Sequence, residues 1–164
     1  MRDEYDFSQA EKNPFAKRLK KQTMKKQTDE LMQILAKNQN IVEFINHNGE
    51  EFSKVTLPEC LSWLLSQYNI KKSDVINRSE VHQIYAYQIF AGTKKPSRDK
   101  LLALMFGYML SVEDGNMLLK SAGLSNLYPR DKRDAVIIFG LNNKLHIRDV
   151  DDLLFELNLE TISK

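Results

Sequence analysis

The sequence predicts an all-α fold, and two features carry that prediction. Apolar residues recur at three- and four-residue spacing in most segments after residue 27, which is the spacing of one helix face. A helix-pair pattern is also repeated in the C-terminal half of the chain. Together these features indicate one helical domain over about residues 28–160, preceded by a polar arm.

Composition limits the class of protein. The chain has 164 residues, enough for one domain with a substantial core, and a formal net charge of +2. Attraction to nucleic acid must therefore come from local clusters of charge. Cys60 is the only cysteine, which excludes an intramolecular disulfide and suits a small apolar residue packed in a helix. No apolar run reaches membrane-spanning length and no hydrophobic signal region is present, so we expect a cytoplasmic protein.

Residues 1–27 form the predicted flexible polar and basic arm. Acidic residues come first, a run of lysines follows, and Pro14 breaks any early helix. The arm is either a solvated tail or a basic segment that touches the DNA backbone or a minor groove. The letters YDFS at 5–8 and NPFAK at 13–17 also resemble the leader of some small bacterial antitoxins. That resemblance implies a toxin as a protein partner.

Three helices are predicted before residue 70. The first spans Thr28–Lys37, with Thr28 as its cap and acidic residues in its first turn. The second spans Ile41–Asn46. The third spans Leu57–Tyr68, and its Pro58 occupies a first-turn position where proline is tolerated. The residues predicted to face inward are Leu31, Ile34 and Leu35 in the first helix, Ile41, Phe44 and Ile45 in the second, and Leu57, Leu61, Leu64, Leu65 and Tyr68 in the third.

The segment 72–92 is predicted to be two short helices joined by a tight turn. The helices span Ser73–Ser79 and His82–Ala91, and Gly92 offers a left-handed stop. One face of the second helix is apolar, whereas the other carries amides and a phenol, and such a helix can enter a DNA major groove. The same pattern also fits an ordinary helical hairpin whose polar face is only solvated. The apolar face is Ala86, Ile89 and Phe90, and the outer residues are Gln83, Ile84, Tyr87 and Gln88.

The residues around this pair carry a family resemblance. Arg78-Ser79 precede the turn, Gly92 ends the second helix, and the basic stretch Lys94-Lys95-Pro96-Ser97 follows. In this register the segment 57–122 resembles the phage-repressor (Xre/Cro-type) DNA-binding domains. The resemblance implies a lambda-repressor-like helix-turn-helix fold and sequence-specific binding of double-stranded DNA. The next helix, Arg98–Tyr108, corresponds to that family's fourth helix, with Leu101, Leu104, Met105 and Tyr108 on one face.

The resemblance assigns roles to individual residues. Gln83 and Gln88 are the expected base readers, because an amide can pair with an adenine edge in bidentate fashion. Tyr87 and Ile84 would add phosphate and thymine-methyl contacts. The expected phosphate ligands are Lys72, His82, Thr93, Lys94 and Lys95.

Three positions depart from the family pattern. Glu80 stands where the turn glycine is usual, and a carboxylate near phosphates is unfavourable. Lys72 replaces a glutamine that often holds a phosphate, although it remains a cation. Ile84 occupies a position that often carries a polar base reader. His82 has a second interpretation, as a helix cap or a partly buried side chain.

An internal repeat follows the helix-turn-helix. Residues 98–124 align without a gap to residues 133–159, at an offset of 35. Arg98-Asp99 match Arg133-Asp134, and Leu119 matches Leu154. Each copy is predicted to be a helical pair, with a capping box at Ser111 and Asp114 and its equivalent at His146 and Asp149. The apolar residues of the second copy must pack on the first domain or on another chain, so we expect a homodimer that uses 133–159.

The sequence offers no pattern typical of an enzyme. Its histidines, His47, His82 and His146, lie in different predicted elements and share no metal-ligand spacing. No glycine-rich phosphate loop, nucleophile elbow or paired-cysteine motif occurs. We therefore expect no catalytic residue, no metal and no cofactor. The alternative to a DNA-binding regulator is a protein-interaction module, with an antitoxin as its concrete form, built on a repressor-like scaffold.

Overall fold

The computed structural model describes residues 28–37, 40–47 and 55–163. Every regular element in these ranges is an α-helix, so the all-α prediction is confirmed for the part of the chain described. The chain divides into two units, Met1–Val55 and Thr56–Lys164. Their boundary lies within the range 28–160 that the sequence pattern assigned to one domain. The arm predicted over 1–27 lies outside the described residues.

The N-terminal unit contains helix α1, Thr28–Lys37, and helix α2, Ile41–His47. In α2 only Phe44 of the three residues predicted to face inward is buried. Ile41 and Ile45 are 56% and 47% exposed, so their prediction is wrong. These two isoleucines are one turn apart on the same side of α2, and that side is open while the adjacent side holding Phe44 is covered.

The C-terminal unit contains the remaining described helices, and the ends of the first four lie within one residue of the predicted ones. They are α3 Leu57–Gln67, α4 Lys72–Ser79, α5 Gln83–Ala91, α6 Arg98–Tyr108, α7 Val112–Ser121, α8 Lys132–Asn142 and α9 Ile147–Glu156.

Helix α3 begins where the sequence predicts, because its first turn is capped. The backbone N–H of Thr56 donates to Glu59 Oε2 at 2.9 Å, and Pro58 occupies the first turn, where no backbone donor is needed. The hydroxyl of Tyr108 donates to the carbonyl of Leu61 at 2.8 Å and so joins α3 to α6. Cys60 is fully buried in α3, as predicted.

Helix α6 is the centre of the C-terminal unit. The sequence predicts one apolar face, but every residue from Leu101 to Tyr108 is buried. The reason is that α4, α7 and α9 all pack against α6. A helix covered on all sides needs apolar or small residues around its whole circumference, and LLALMFGY supplies them.

Helices α4 and α6 approach each other closely at Gly107. A Cβ added there would lie 2.4 Å from the carbonyl oxygen of Val75 and 3.0 Å from Cβ of Ser79. No atom pair of this kind tolerates such a distance, and a backbone carbonyl cannot swing aside as a side chain can. The glycine therefore sets how near the first helix of the helix-turn-helix lies to its support.

The predicted repeat is reproduced in the backbone. The first helix of each copy ends at a left-handed residue, Met109 with φ 59° and Lys144 with φ 53°. The second helix of each copy is also followed by a left-handed residue, Gly123 with φ 72° and Asn158 with φ 54°. Leu110 N bonds to Met105 O, and Leu145 N bonds to Gly140 O, at the same offset of 35 residues. These are helix-terminating hydrogen bonds of the Schellman type.

The two predicted capping boxes differ. At α9 the reciprocal bonds form, because the His146 N–H donates to Asp149 Oδ2 at 3.3 Å. At α7 the Ser111 hydroxyl accepts from Asp114 N, but Asp114 does not reach back to Ser111. Its carboxylate accepts from the Tyr68 hydroxyl at 2.5 Å, and that oxygen accepts from Ser111 N at 3.2 Å. The predicted return bond at α7 is therefore wrong, since a tyrosine from α3 stands between its partners.

Equivalent residues of the two copies form a crossed set of ion pairs. Arg98 binds both oxygens of Asp134 at 2.9 Å. Arg133 binds Asp99 at 2.9 Å. Arg98 and Arg133 are equivalent in the repeat, and so are Asp99 and Asp134, so each copy supplies one arginine and one aspartate to the other. This pairing holds the N-terminal ends of α6 and α8 together.

We predict that Gly107→Ala destabilises the protein by roughly 1–3 kcal/mol, the range for an overpacked core. The matched control is Gly115→Ala, whose added Cβ would meet Cε of Met105 at 2.3 Å. A flexible methionine tip can move, and alanine favours the helix by about 1 kcal/mol over glycine. Urea denaturation should therefore separate the two variants, and equal costs would contradict the rigid contact at Gly107.

Leu154→Ala should cost roughly 2–5 kcal/mol of unfolding free energy, the usual range for a core leucine. Leu154 and its repeat equivalent Leu119 are both fully buried, as the alignment predicts. Asp152→Ala is the control, because Asp152 is exposed on the same helix and surface changes fall within about 0.5 kcal/mol. A cost near zero for Leu154→Ala would show that α9 contributes no stability to the unit.

Candidate nucleic-acid interface

The turn between α4 and α5 is held from inside by Ser79. Ser79 is buried, and its hydroxyl donates to the Ile76 carbonyl at 2.8 Å and accepts from Val81 N at 3.3 Å. Val81 is buried directly after the turn. Between them Glu80 has φ 56°, the left-handed conformation that favours glycine. Glu80 therefore adopts a backbone conformation that suits glycine, the residue usual at this position of the family pattern.

Helix α5 has one buried and one open face. Ala86, Ile89 and Phe90 are buried, and α5 packs on α3. The four residues predicted to read bases, Gln83, Ile84, Tyr87 and Gln88, are all exposed. Ile84 is 65% exposed, an unusual position for a large apolar side chain.

Gly92 fixes the end of α5 against α3. Its φ is 76°, and a Cβ there would lie 2.8 Å from Cγ of Pro58. Both the backbone conformation and the space require glycine at this point. The loop that follows therefore leaves α5 in a defined direction, with Lys94 and Lys95 exposed and Pro96 buried.

Two of the five predicted phosphate ligands already make contacts within the protein. The ammonium of Lys72 lies 5.9 Å from the ring centroid of Tyr87 and 5.1 Å from that of Phe90. This cation–π geometry places a charge beside the open face of α5. The Thr93 hydroxyl donates to the carbonyl of Gln88 at 3.2 Å and caps the helix C-terminus, so its proton is already used.

His82 occupies the N-cap position of α5, but its side chain neither caps the helix nor is partly buried, so that interpretation is wrong. Its imidazole is exposed and makes no cap hydrogen bond. The ring is therefore open to solvent at the N-terminal end of the helix, where the backbone N–H groups and the helix dipole favour an anion.

Glu80 is neutralised by a residue far along the chain. Its carboxylate pairs with the guanidinium of Arg148, in the first turn of α9. The Arg148 side chain is 76% exposed, so a cation projects beside the turn. The unfavourable carboxylate expected from the sequence is thus paired, which weakens its repulsion of a phosphate.

The structure leaves Gln83, Ile84, Tyr87 and Gln88 exposed on α5 and brings Lys72 beside Tyr87; His82 and the loop residues Thr93, Lys94 and Lys95 are exposed at the two ends of that helix. Sequence reasoning missed the internal bonds of Ser79 and the charge pairing by Arg148. The Ser79 side chain could have been suspected from its place before a tight turn, where hydroxyls often bond the backbone. No signal in the sequence linked Arg148 to Glu80, because 68 residues separate them.

Within the described ranges, no group of three or more His, Cys, Asp or Glu residues is placed to hold a metal ion. None of the described helices is long and apolar enough to cross a membrane.

Burial raises the pKa of Cys60 to about 11. At neutral pH this thiol is therefore protonated and a poor nucleophile.

We predict that Glu80→Gly is more stable than Glu80→Ala by about 1 kcal/mol, because alanine keeps the left-handed strain that glycine removes. Both variants lose the pair with Arg148, whose high exposure limits its value to about 0–1 kcal/mol. Alanine is thus the matched control for the ion pair. Equal midpoints in urea denaturation would mean that residue 80 is not left-handed in solution.

Comparison of the chain with protein-family models, with curated proteins and with solved structures finds no match. Function must therefore be argued from the geometry of the interface itself.

Proposed function

We propose that the protein binds double-stranded DNA in a sequence-specific manner, as a transcription regulator of the Xre type, with α5 in the major groove. The observation that carries the proposal is the open face of α5. Two amides, a phenol and an exposed isoleucine project from a helix whose opposite face is anchored in the core. Such a helix can reach base edges without unfolding its support.

The side chains on that face match the chemistry of base edges. Gln83 and Gln88 can each donate to and accept from an adenine edge. Ile84 is 65% exposed, and contact with a thymine methyl group would cover it. Tyr87 can donate its hydroxyl to a phosphate, while Lys72 beside its ring adds positive charge.

Contacts to the DNA backbone would flank the recognition helix α5. Lys94 and Lys95 are exposed in the loop after α5, and His82 lies at its N-terminal end. Phosphate ligands at both ends of a helix fix its position along the groove, whereas base contacts select the sequence. Thr93 is exposed, but its hydroxyl could donate to a phosphate only after breaking its hydrogen bond to the Gln88 carbonyl.

The arrangement of α3 to α7 supports the resemblance to phage repressors. Helix α5 rests on α3, α4 rests on α6, and α7 packs against both α3 and α6. Five short helices in this order surround one core, and the first two helices after α3 form the helix-turn-helix. The lambda-repressor-like fold is part of the proposal, and it explains why α4 and α5 are so short.

One such unit reads few base pairs, so the proposal includes a homodimer on a palindromic site. The second copy of the repeat, 133–159, is the proposed dimer surface because it exposes Phe139, Phe155 and Leu157. A cytoplasmic location, no enzymatic activity and no cofactor complete the proposal.

A protein-interaction role is the second candidate, and the same exposed side chains favour it. Phe155 is 76% and Leu157 58% exposed at the end of α9. Apolar groups at a protein surface are typical of sites that bind a partner. In this version the partner is a different protein, with a toxin as the specific case, and the helix-turn-helix serves as a scaffold.

The test begins with selection of bound duplexes from a random library at stated salt, followed by binding measurements on Gln83→Ala with Gln88→Ala. Each lost bidentate contact should cost roughly 1–3 kcal/mol on the selected site. Binding to random duplexes should change little. Gln33→Ala is the control, since Gln33 is an exposed amide of α1. Equal affinity of the double variant and the parent protein would remove α5 from base reading.

A further inference from the structure

We infer that the segment joining α7 to α8 extends the DNA-backbone interface, with Tyr128, Arg130 and Lys132 as additional phosphate ligands. We call these three residues the connector strip. The inference rests on the proposed function, because it assigns more of the same ligand to a neighbouring surface. It lies outside the segment 57–122 on which the family resemblance depends.

The segment joining α7 to α8 is bonded to the N-terminal end of α6, which directly follows the basic loop. Lys94 and Lys95 lie in that loop, and α6 begins at Arg98. The Arg98 guanidinium donates to the carbonyl of Asn126 at 3.5 Å and to Asp134 at 2.9 Å. Arg98, three residues after Lys95, therefore contacts both the segment joining α7 to α8 and the first turn of α8.

Internal hydrogen bonds hold the connector in place. Tyr128 N donates to Asp134 Oδ2 at 2.9 Å, and Leu127 N donates to Asn116 Oδ1 at 2.8 Å. The side chain of Leu127 is buried. A segment fixed in this way presents its outward side chains with little loss of entropy on binding, which favours affinity.

The acids of this region make hydrogen bonds or ion pairs within the protein, although Asp131 remains exposed. Asp131 caps α8 by accepting from Asp134 N at 2.9 Å. Asp134 is 6% exposed and binds Arg98, while Asp99 binds Arg133. The carboxylates at the starts of α6 and α8 are bonded in these contacts. They therefore repel a phosphate less than free carboxylates would.

The cations of the connector strip remain available. Arg130 and Lys132 are exposed, and neither forms an ion pair with an acid among the described residues. Tyr128 is 57% exposed, and its hydroxyl can donate to a phosphate oxygen. Two free cations and a phenol beside paired acids give an outward positive strip. The charge complementarity identifies a polyanion as the occupant. The bonds from Arg98, which follows the basic loop, to Asn126 and Asp134 identify that polyanion as the DNA backbone of the proposed function.

The experiment measures the dependence of DNA affinity on salt concentration for the full chain, on both the selected duplex and a random one. Arg130→Gln with Lys132→Gln should flatten the slope of log affinity against log salt by roughly two units, at about 0.9 per phosphate lost. Both duplexes should lose affinity by the same factor. Lys94→Gln with Lys95→Gln, from the basic loop, serves as the comparison for authentic backbone contacts.

Lys120→Gln is the matched control for Lys132→Gln, because each removes one exposed lysine charge. The control should keep the parental slope, while Lys132→Gln should flatten it by roughly one unit. Equal effects of these two variants, or a parental slope in Arg130→Gln with Lys132→Gln, would overturn the inference and leave the proposed function standing. Absence of salt-dependent duplex binding by the parent protein would overturn both.

Discussion

The close crossing of α4 and α6 at Gly107 governs the position of the turn and of α5, which carry the proposed base contacts. With no side chain at residue 107, the carbonyl of Val75 can lie where a Cβ would be, and α4 sits directly on α6. Helix α6 is itself buried along its length from Leu101 to Tyr108. The turn and α5 follow from α4, so their orientation depends on this backbone contact. A backbone contact sets a distance more strictly than two flexible side chains would.

The repeat extends this support beyond the helix-turn-helix. Equivalent arginines and aspartates exchange partners between α6 and α8. The buried Asp134 carboxylate accepts from Arg98 and from Tyr128 N, while the Asp134 backbone N–H donates to Asp131. At the other end of α6, Lys144 donates to the carbonyl of Met109 at 2.9 Å. Both ends of α6 are therefore tied to α8. Paired buried charges of this kind add little net stability, but they penalise any arrangement that separates them.

The distribution of charge follows from these internal bonds. A formal net charge of +2 gives the whole molecule only a weak field. Asp131, Asp134 and Glu80 are each occupied by a helix cap or an arginine. Lys94, Lys95, Arg130 and Lys132 remain open. In the proposed function, these exposed cations would attract a phosphate locally even though acids and bases are nearly equal in number over the whole chain.

Local patterns in the sequence determined the helices, their caps and the two copies of the repeat, because these depend on residues within a few positions of one another. The open face of α5 was also predictable, since helical spacing places Ile84 and Gln88 opposite Ala86, Ile89 and Phe90, with Gln83 on the flank. The tertiary structure alone decided that α6 is covered on all sides, that Tyr68 displaces the return bond of Asp114, and that Ile41 and Ile45 are open. It alone paired Glu80 with Arg148 and crossed the ion pairs of the repeat. Each of these depends on which distant segments meet, and one-dimensional periodicity states which face of a helix is apolar without stating what will cover it.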